Sequence, residues 1–230
     1  CPQVPDAVEG DIVDRDRDTD ASRRESADSA HMICIAVYST SSAGRQHTAP
    51  VPEAYDSGRR GPTMEREVMG ESPSVADSAF VSEMAYLVGD VGVGPDTSLW
   101  PFVCLRGDGR ATTVGEETNV QEFSMLHGAD VGDRVTVGHN VVIDYADIGD
   151  DVLVGMSSTV QYGATVESNS LVAAGSLVTE DTVVPAGHLA YGVPAETREL
   201  TPEQAAVIEE TADHYRESRR AYKAAGGLEQ

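Results

Sequence analysis

Aliphatic residues recur every six positions from residue 75 onward, at Val75, Val81, Leu87, Val93, Leu99 and Leu105. After a step of nine the series resumes at Val114, Val120 and Leu126, and after a step of five at Val131, Val137 and Ile143. One more step of five leads to Ile148, Val154 and Val160, and then to Val166, Val172, Val178 and Val184 without a slip. A period of six fits neither an α-helix nor a set of hairpins. It fits a coil of three short strands and three turns, about 18 residues per revolution, in which each inward aliphatic stacks on the one a coil later. Glycine often follows the aliphatic, as at Gly94, Gly115, Gly132, Gly138, Gly149 and Gly155, where a turn can demand torsions that other residues resist. The expected fold is all-β, a left-handed parallel β-helix of about six three-strand coils with the irregular steps between coils.

The pattern changes at both ends. Residues 1–63 mix charges without period and then turn rich in Ser, Thr, Gly and Pro; Ile33 to Val37 is their only apolar patch. They are expected to be a disordered or non-native extension, with the functional protein starting near Met64 and the β-helix filling residues 64–200. At Thr201 a capping hydroxyl, Pro202 and Gln204 open a C-terminal helix expected over 201–230. Val207, Ile208, Ala212, Tyr215 and Tyr222 form its apolar stripe and Gly226-Gly227 closes it, so it should pack along the outside of the β-helix.

Charge narrows the partners. The chain carries 39 acidic against 16 basic residues, a net −23, and Lys223 is its only lysine. The first 63 residues contribute 11 acids and 7 bases, or −4, which leaves −23 + 4 = −19 on the patterned part. Such a surface repels nucleic acid and anionic membranes. General solubility is one account of it; adaptation to very high salt, where self-repulsion is screened, is the other. No run of about 18 apolar residues exists to span a bilayer, and a cytoplasmic location is expected. Cys1, Cys34 and Cys104 have neither a disulfide framework nor zinc-finger spacing.

The period also places polar side chains. Leu126 and Ile143 share a side of consecutive coils, so His127 and Asp144, which follow them, are stacked neighbours. Strands about 4.8 Å apart let two such side chains share one metal ion. His139, two places after Val137, falls on another side of the prism. Three prisms around a threefold axis could bring it to the His127/Asp144 edge of the next copy.

Leu105-Arg106-Gly107-Asp108, Thr118-Asn119-Val120-Gln121, Leu126-His127-Gly128 and Val137-Gly138-His139-Asn140 stand in the order and spacing typical of one family. Gly155-Met156 and Gly192-Val193-Pro194-Ala195 continue the likeness. Over about residues 72–200 the chain resembles the gamma-class carbonic anhydrases. The resemblance implies a homotrimer that hydrates CO2 reversibly to bicarbonate, with a divalent metal between subunits held by two histidines of one chain and one of its neighbour. His127 and His139 match two of these ligands; Asp144 stands where the third histidine belongs. Arg106 and Asp108 resemble the family's intersubunit ion pair. Gln121 and Asn119 resemble residues that orient the reacting oxygen or CO2, and Tyr191 is a weaker candidate for the same rim.

An aspartate ligand adds negative charge to the metal, and two histidines with one carboxylate suit iron(II) as well as zinc, with cobalt a third occupant. A second departure is Gly109, where the archetypal member carries a glutamate proton shuttle; Glu122 points away from Gln121 by alternation and is expected to be a solvated surface residue. Cys104, beside the inward Leu105, is expected to be structural rather than nucleophilic. His188 and His214 are expected on the surface, and His31 and His47 lie in the N-terminal stretch. Two other functions remain open: a non-catalytic trimeric scaffold that has lost its third metal histidine, and an acyl-CoA-dependent transferase using a lone histidine as base.

Overall fold

A computed structural model describes residues 64–226; the expectation for residues 1–63 lies outside them. Most strands are two residues long, as at Ser98–Leu99, Asn119–Val120 and Thr136–Val137. Each pairs in parallel with the strand one coil on. The registers align Val75, Val93, Val114, Val131, Ile148, Val166 and Val184 in one column. A second runs from Val81 through Leu99, Val120, Val137, Val154 and Val172 to Ala190. The third holds Leu87, Leu105, Leu126, Ile143, Val160 and Val178. The three columns are the three inner faces of a parallel β-helix. From Leu87 onward every member is buried, and each fully buried Val, Leu or Ile contributes about 1.5–3 kcal/mol.

Two details differ from the sequence reading. The stack has about seven turns rather than six, because pairing continues through Leu189 and Ala190 after the large aliphatics end at Val184. The glycines that follow the inward aliphatics are needed for a different reason. Gly94, Gly115, Gly132, Gly138, Gly149 and Gly155 are absent from the positive-φ positions. A Cβ on Gly94 would fall 2.7 Å from the Gly115 carbonyl group, and one on Gly115 would fall 2.6 Å from that of Gly132. Close stacking of successive turns excludes a side chain there. The torsional demand comes two residues later and is met by non-glycines: Asp96, Glu117, Arg134, Asn140, Asp151 and Ser157 have φ between 53° and 58°. Each accepts a left-handed conformation at a cost of about 1–2 kcal/mol.

All three irregular steps fall on one corner, where the chain passes from the third face to the first. The nine-residue step lies within the strand Cys104–Val114, and the two five-residue steps follow at the next two levels, after Leu126 and Ile143. Here the left-handed residue arrives one position early, at Gly128 (φ 56°) and Tyr145 (φ 50°). On the next two levels, where the six-residue step returns, it moves back to Gly163 and Asp181.

The helix α1, Pro202–Ala225, begins with the expected capping box: Thr201 Oγ1 accepts from the Gln204 amide and Gln204 Oε1 accepts from the Thr201 amide. It lies along the second face, against the strands Phe80–Val81, Asn119–Val120, Thr136–Val137 and Leu171–Val172. Ile208 and Ala212 are buried there. Tyr215 and Tyr222 meet the Trp100 ring edge-on, with centroids 5.8 and 4.8 Å away. Arg219 joins this face although it breaks the apolar stripe; its Nη1 donates to Asp96 Oδ1 at 2.7 Å and to the Ser78 carbonyl at 3.1 Å. Arg216 reaches Glu117 in the same way, at 2.7 Å. Among the described residues no helix is long and apolar enough to cross a membrane.

Gly115→Ala should lower unfolding stability by about 1–3 kcal/mol, because the methyl meets backbone that cannot move alone. In denaturant titrations Gly92→Ala, whose Cβ would meet only Thr113 Cγ2 at an ordinary 3.8 Å, should cost less; equal losses would contradict the stacking argument. A second expectation concerns pH. Burial, and after it the nearby Glu122 carboxylate, pushes the Tyr215 phenol up to about 12, against about 10 in an unfolded chain. The stability this contributes is complete below pH of about 10 and lost as pH climbs toward 12. The denaturation midpoint should therefore fall more steeply over that window than in Tyr215→Phe, and parallel curves would count against it.

Candidate functional site

The irregular corner gathers half of the predicted site residues, Arg106, Asp108, His127 and Asp144. Arg106 pairs in register with His127, and His127 with Asp144, so the three form a vertical row on successive levels. Each follows an inward aliphatic, which fixes its direction out of the corner. His127 Nδ1 lies 2.8 Å from Asp144 Oδ1, and its Nε2 lies 3.2 Å from Asp108 Oδ1. The other oxygen of Asp108 accepts from Arg106 Nε at 3.0 Å and Nη2 at 2.8 Å. The row is thus a continuous chain of contacts, Arg106–Asp108–His127–Asp144. The Arg106 hydrogen bond is the main reason the Asp108 carboxyl is held below its usual range, and His127 adds to it. His127 is mostly covered, at 17% exposed, whereas Asp144 is half open at 49%.

Tyr145, which the sequence reading did not single out, covers the row. Its ring meets the His127 ring edge-on at 4.7 Å. A Cβ on Gly128 would come within 3.0 Å of the same ring, and one on Gly109 would collide with the Tyr145 hydroxyl. Both glycines therefore leave room for this tyrosine. The available signal was the five-residue step, which puts the residue after Asp144 into the turn itself.

The other candidates stand at a second corner, after the second face. His139 lies two residues past Val137, as Glu122 lies two past Val120, and those valines pair in register. His139 Nδ1 is 2.8 Å from Glu122 Oε2. Glu122 is thus paired with His139, not merely a solvated surface group; its 17-residue offset from His139 equals that between His127 and Asp144. Gln121 and Asn119 are buried beside them. Gln121 Nε2 donates to Asn119 Oδ1 at 3.1 Å, and Asn119 Nδ2 donates to Thr136 Oγ1 at 2.8 Å.

Tyr191 follows Ala190 and so shares the row of Gln121, but four levels further along, about 19 Å away at the usual strand spacing. Within one chain it meets neither histidine corner; the Arg198 guanidinium lies 6.0 Å from its ring centroid. Cys104 is half-buried, and burial pushes its thiol up, away from nucleophilic use. His188 Nδ1 lies 2.9 Å from the Ala186 carbonyl oxygen, and His214 stacks edge-on against Tyr215.

Among the described residues of a single chain, no three His, Cys, Asp or Glu side chains are grouped to hold a metal. His127 and Asp144 nonetheless fit two positions of such a site. Bonds of about 2.0–2.2 Å from nitrogen and oxygen to a tetrahedral ion separate the donors by about 3.3 Å. The observed 2.8 Å needs to open by only about half an ångström. One imidazole and one carboxylate are also a donor pair that zinc and iron(II) accept.

A family model for the hexapeptide repeat of succinyl-transferase matches residues 145–180. The mitochondrial gamma carbonic anhydrase 1 of Arabidopsis thaliana is 36% identical over 169 residues, 68% of this chain and 62% of that protein. The chain thus spans less than two thirds of that relative's length. A carbonic anhydrase of Geobacillus kaustophilus is 35% identical over 179 residues, 67% of this chain and 88% of that one. Among solved structures, a hexapeptide transferase family protein from Anaplasma phagocytophilum superposes with a TM-score of 0.67 at 35% identity, over 69% of this chain and 98% of that one. Likeness at this level across nearly the whole Geobacillus protein, on a fold of stacked hexapeptide coils, makes this chain a member of the gamma carbonic anhydrase family.

Proposed function

We propose that the chain hydrates CO2 reversibly to bicarbonate at sites shared between the copies of a homotrimer. His127 and Asp144 of one copy and His139 of the next would hold a divalent metal, zinc or iron(II), with cobalt as a third occupant. The observation that carries the reading is the in-register His127–Asp144 pair, 2.8 Å apart on the corner that also bears Arg106 and Asp108. His139 stands at a different corner of the same prism, so a second copy is the natural source of a third donor. The outer side of the third face suits such a partner. Met125 and Val142 point outward there, next to Phe102 and Phe123, whose exposed rings stack 5.0 Å apart. A contiguous apolar band of this kind marks an interface.

The bound ion would supply a Lewis-acid centre that acidifies water for attack on the carbon of CO2. The chain's own part is positional. Arg106 fixes Asp108, Asp108 holds His127 by Nε2, and Nδ1 is thereby turned toward Asp144. Gln121, steadied by Asn119, offers its amide on the His139 corner. The Asp144 carboxylate brings a negative charge where imidazole is neutral, so water at this site should be less acidic than at three histidines.

The likeness to a hexapeptide transferase family protein supports a second reading, acyl transfer from acyl-CoA, which needs no metal. A scaffold without turnover is the third. The full chain, purified without air, should carry close to one zinc, iron or cobalt per chain by elemental mass spectrometry and should hydrate CO2. Acetyl-CoA binding without stoichiometric metal would favour the transferase, and a trimer with neither would leave the scaffold. Asp144→His should tighten zinc binding and move the pH profile of hydration to lower pH; a folded variant unchanged in both would remove Asp144 from the site. Arg106→Ala frees Asp108 from its anchor and should shift the trimer toward smaller species in light scattering, whereas an unchanged mass would count against an interface role for this pair.

A further inference from the structure

Glu122 and His139 occupy equivalent places on consecutive levels, and the Asn140 amide donates to the Glu122 carbonyl at 3.0 Å, which ties the two turns together. The carboxylate oxygen 2.8 Å from Nδ1 repels a bare nitrogen lone pair and attracts an N–H. A neutral His139 ring therefore carries its proton on Nδ1 and directs the Nε2 lone pair outward. No hydrogen bond or ion pair engages Nε2 among the described residues, and the side chain is 45% exposed. His127 is different, because carboxylates of its own chain meet both of its nitrogens. A histidine that ligates through one nitrogen commonly gives its other N–H to a carboxylate, which fixes the tautomer and the ring orientation and strengthens the donor.

We propose that Glu122 is the positioning residue of His139, holding the proton on Nδ1 so that Nε2 is presented, ready to coordinate, to a divalent cation on the His127–Asp144 row of a second copy. The coordination rests on the between-copy metal reading given above; the tautomer does not. Glu122 touches neither substrate nor metal in this arrangement and acts through His139 alone.

The two levels can be read separately. The full chain labelled with 15N-histidine and stripped of metal contains six imidazole rings, and a His139→Gln variant identifies the His139 signals. Well above the ordinary histidine pKa of about 6.5, the ring nitrogens should report the Nδ1–H tautomer in the wild type. They should move to Nε2–H, or to an average of the two, in Glu122→Ala. Cobalt(II) titration should give a dissociation constant raised about 10–100-fold in Glu122→Ala, with the trimer mass and unfolding midpoint unchanged. Glu122→Gln keeps an acceptor oxygen and should lie nearer the wild type in both readouts. An unaltered His139 tautomer in Glu122→Ala overturns the proposal, as does unaltered affinity where the wild type binds cobalt stoichiometrically. A wild type that takes up no cobalt ends the between-copy metal reading instead, and the tautomer alone then decides the role of Glu122.

Discussion

The parallel ladder joining each short strand to the one a coil later is the constraint on which the rest of this molecule depends. Strands of two residues make too few hydrogen bonds to stand alone, and each is held only because its neighbours above and below complete the pairing. The inward aliphatic at every step supplies the burial that offsets the entropy of ordering so much turn. Once the ladder is fixed, a residue's place in its turn determines its neighbour on the next level. Close approach of those levels then excludes side chains at Gly94, Gly115 and Gly132 and forces left-handed torsions on Asp96, Glu117 and Arg134. Two of those strained corners, Asp96 and Glu117, are also where α1 is anchored, through Arg219 and Arg216.

The ladder also explains why a contact chain of four side chains forms on one corner. Three levels in succession depart from the six-residue step between the third and first faces, first by the insertion within Cys104–Val114 and then by two deletions. An insertion lets Asp108 reach back over the next level, and a shortened turn brings the following side chains close to the corner. The outcome is the contact chain Arg106–Asp108–His127–Asp144, with Tyr145 lying over it in a left-handed turn. The transitions that keep the regular step carry side-chain ion pairs between two levels, Arg134–Asp151 and Glu122–His139.

Relations between levels were legible in the sequence because they depend on counting. The three columns, the His127–Asp144 neighbourhood and the Thr201 capping box all follow from spacing and local chemistry. The Glu122–His139 contact obeys the same 17-residue arithmetic, yet alternation along one strand drew attention to the face of Glu122 and away from its neighbour above. What the period does not encode is how closely turns approach, which assigns the glycines to contact instead of torsion. Nor does it encode how far a side chain reaches: Arg219 lies within an apolar stripe because its guanidinium extends to Asp96 and the Ser78 carbonyl. Motif likeness grouped Tyr191 with Gln121, and only the count of levels between them shows how far apart one chain holds them.

Two histidine corners on one rigid prism carry a further consequence for the proposed chemistry. The faces between them are backbone ladders packed on a solid core, so no side-chain rearrangement can bring His139 to His127 within one chain. On the proposed reading, metal binding and assembly are then linked equilibria: each ion gains its last protein ligand only when a second copy docks, and each docked copy is further stabilised by the ion it helps to hold. The charges along the row suit that linkage. Arg106 is paired with Asp108 at one end of the row, and the Asp144 carboxylate stands at the other end, 49% exposed. On the proposed reading, a divalent cation placed there would relieve the carboxylate where another copy would approach, so the aspartate that replaces the family's third histidine would favour recruiting metal before the interface closes.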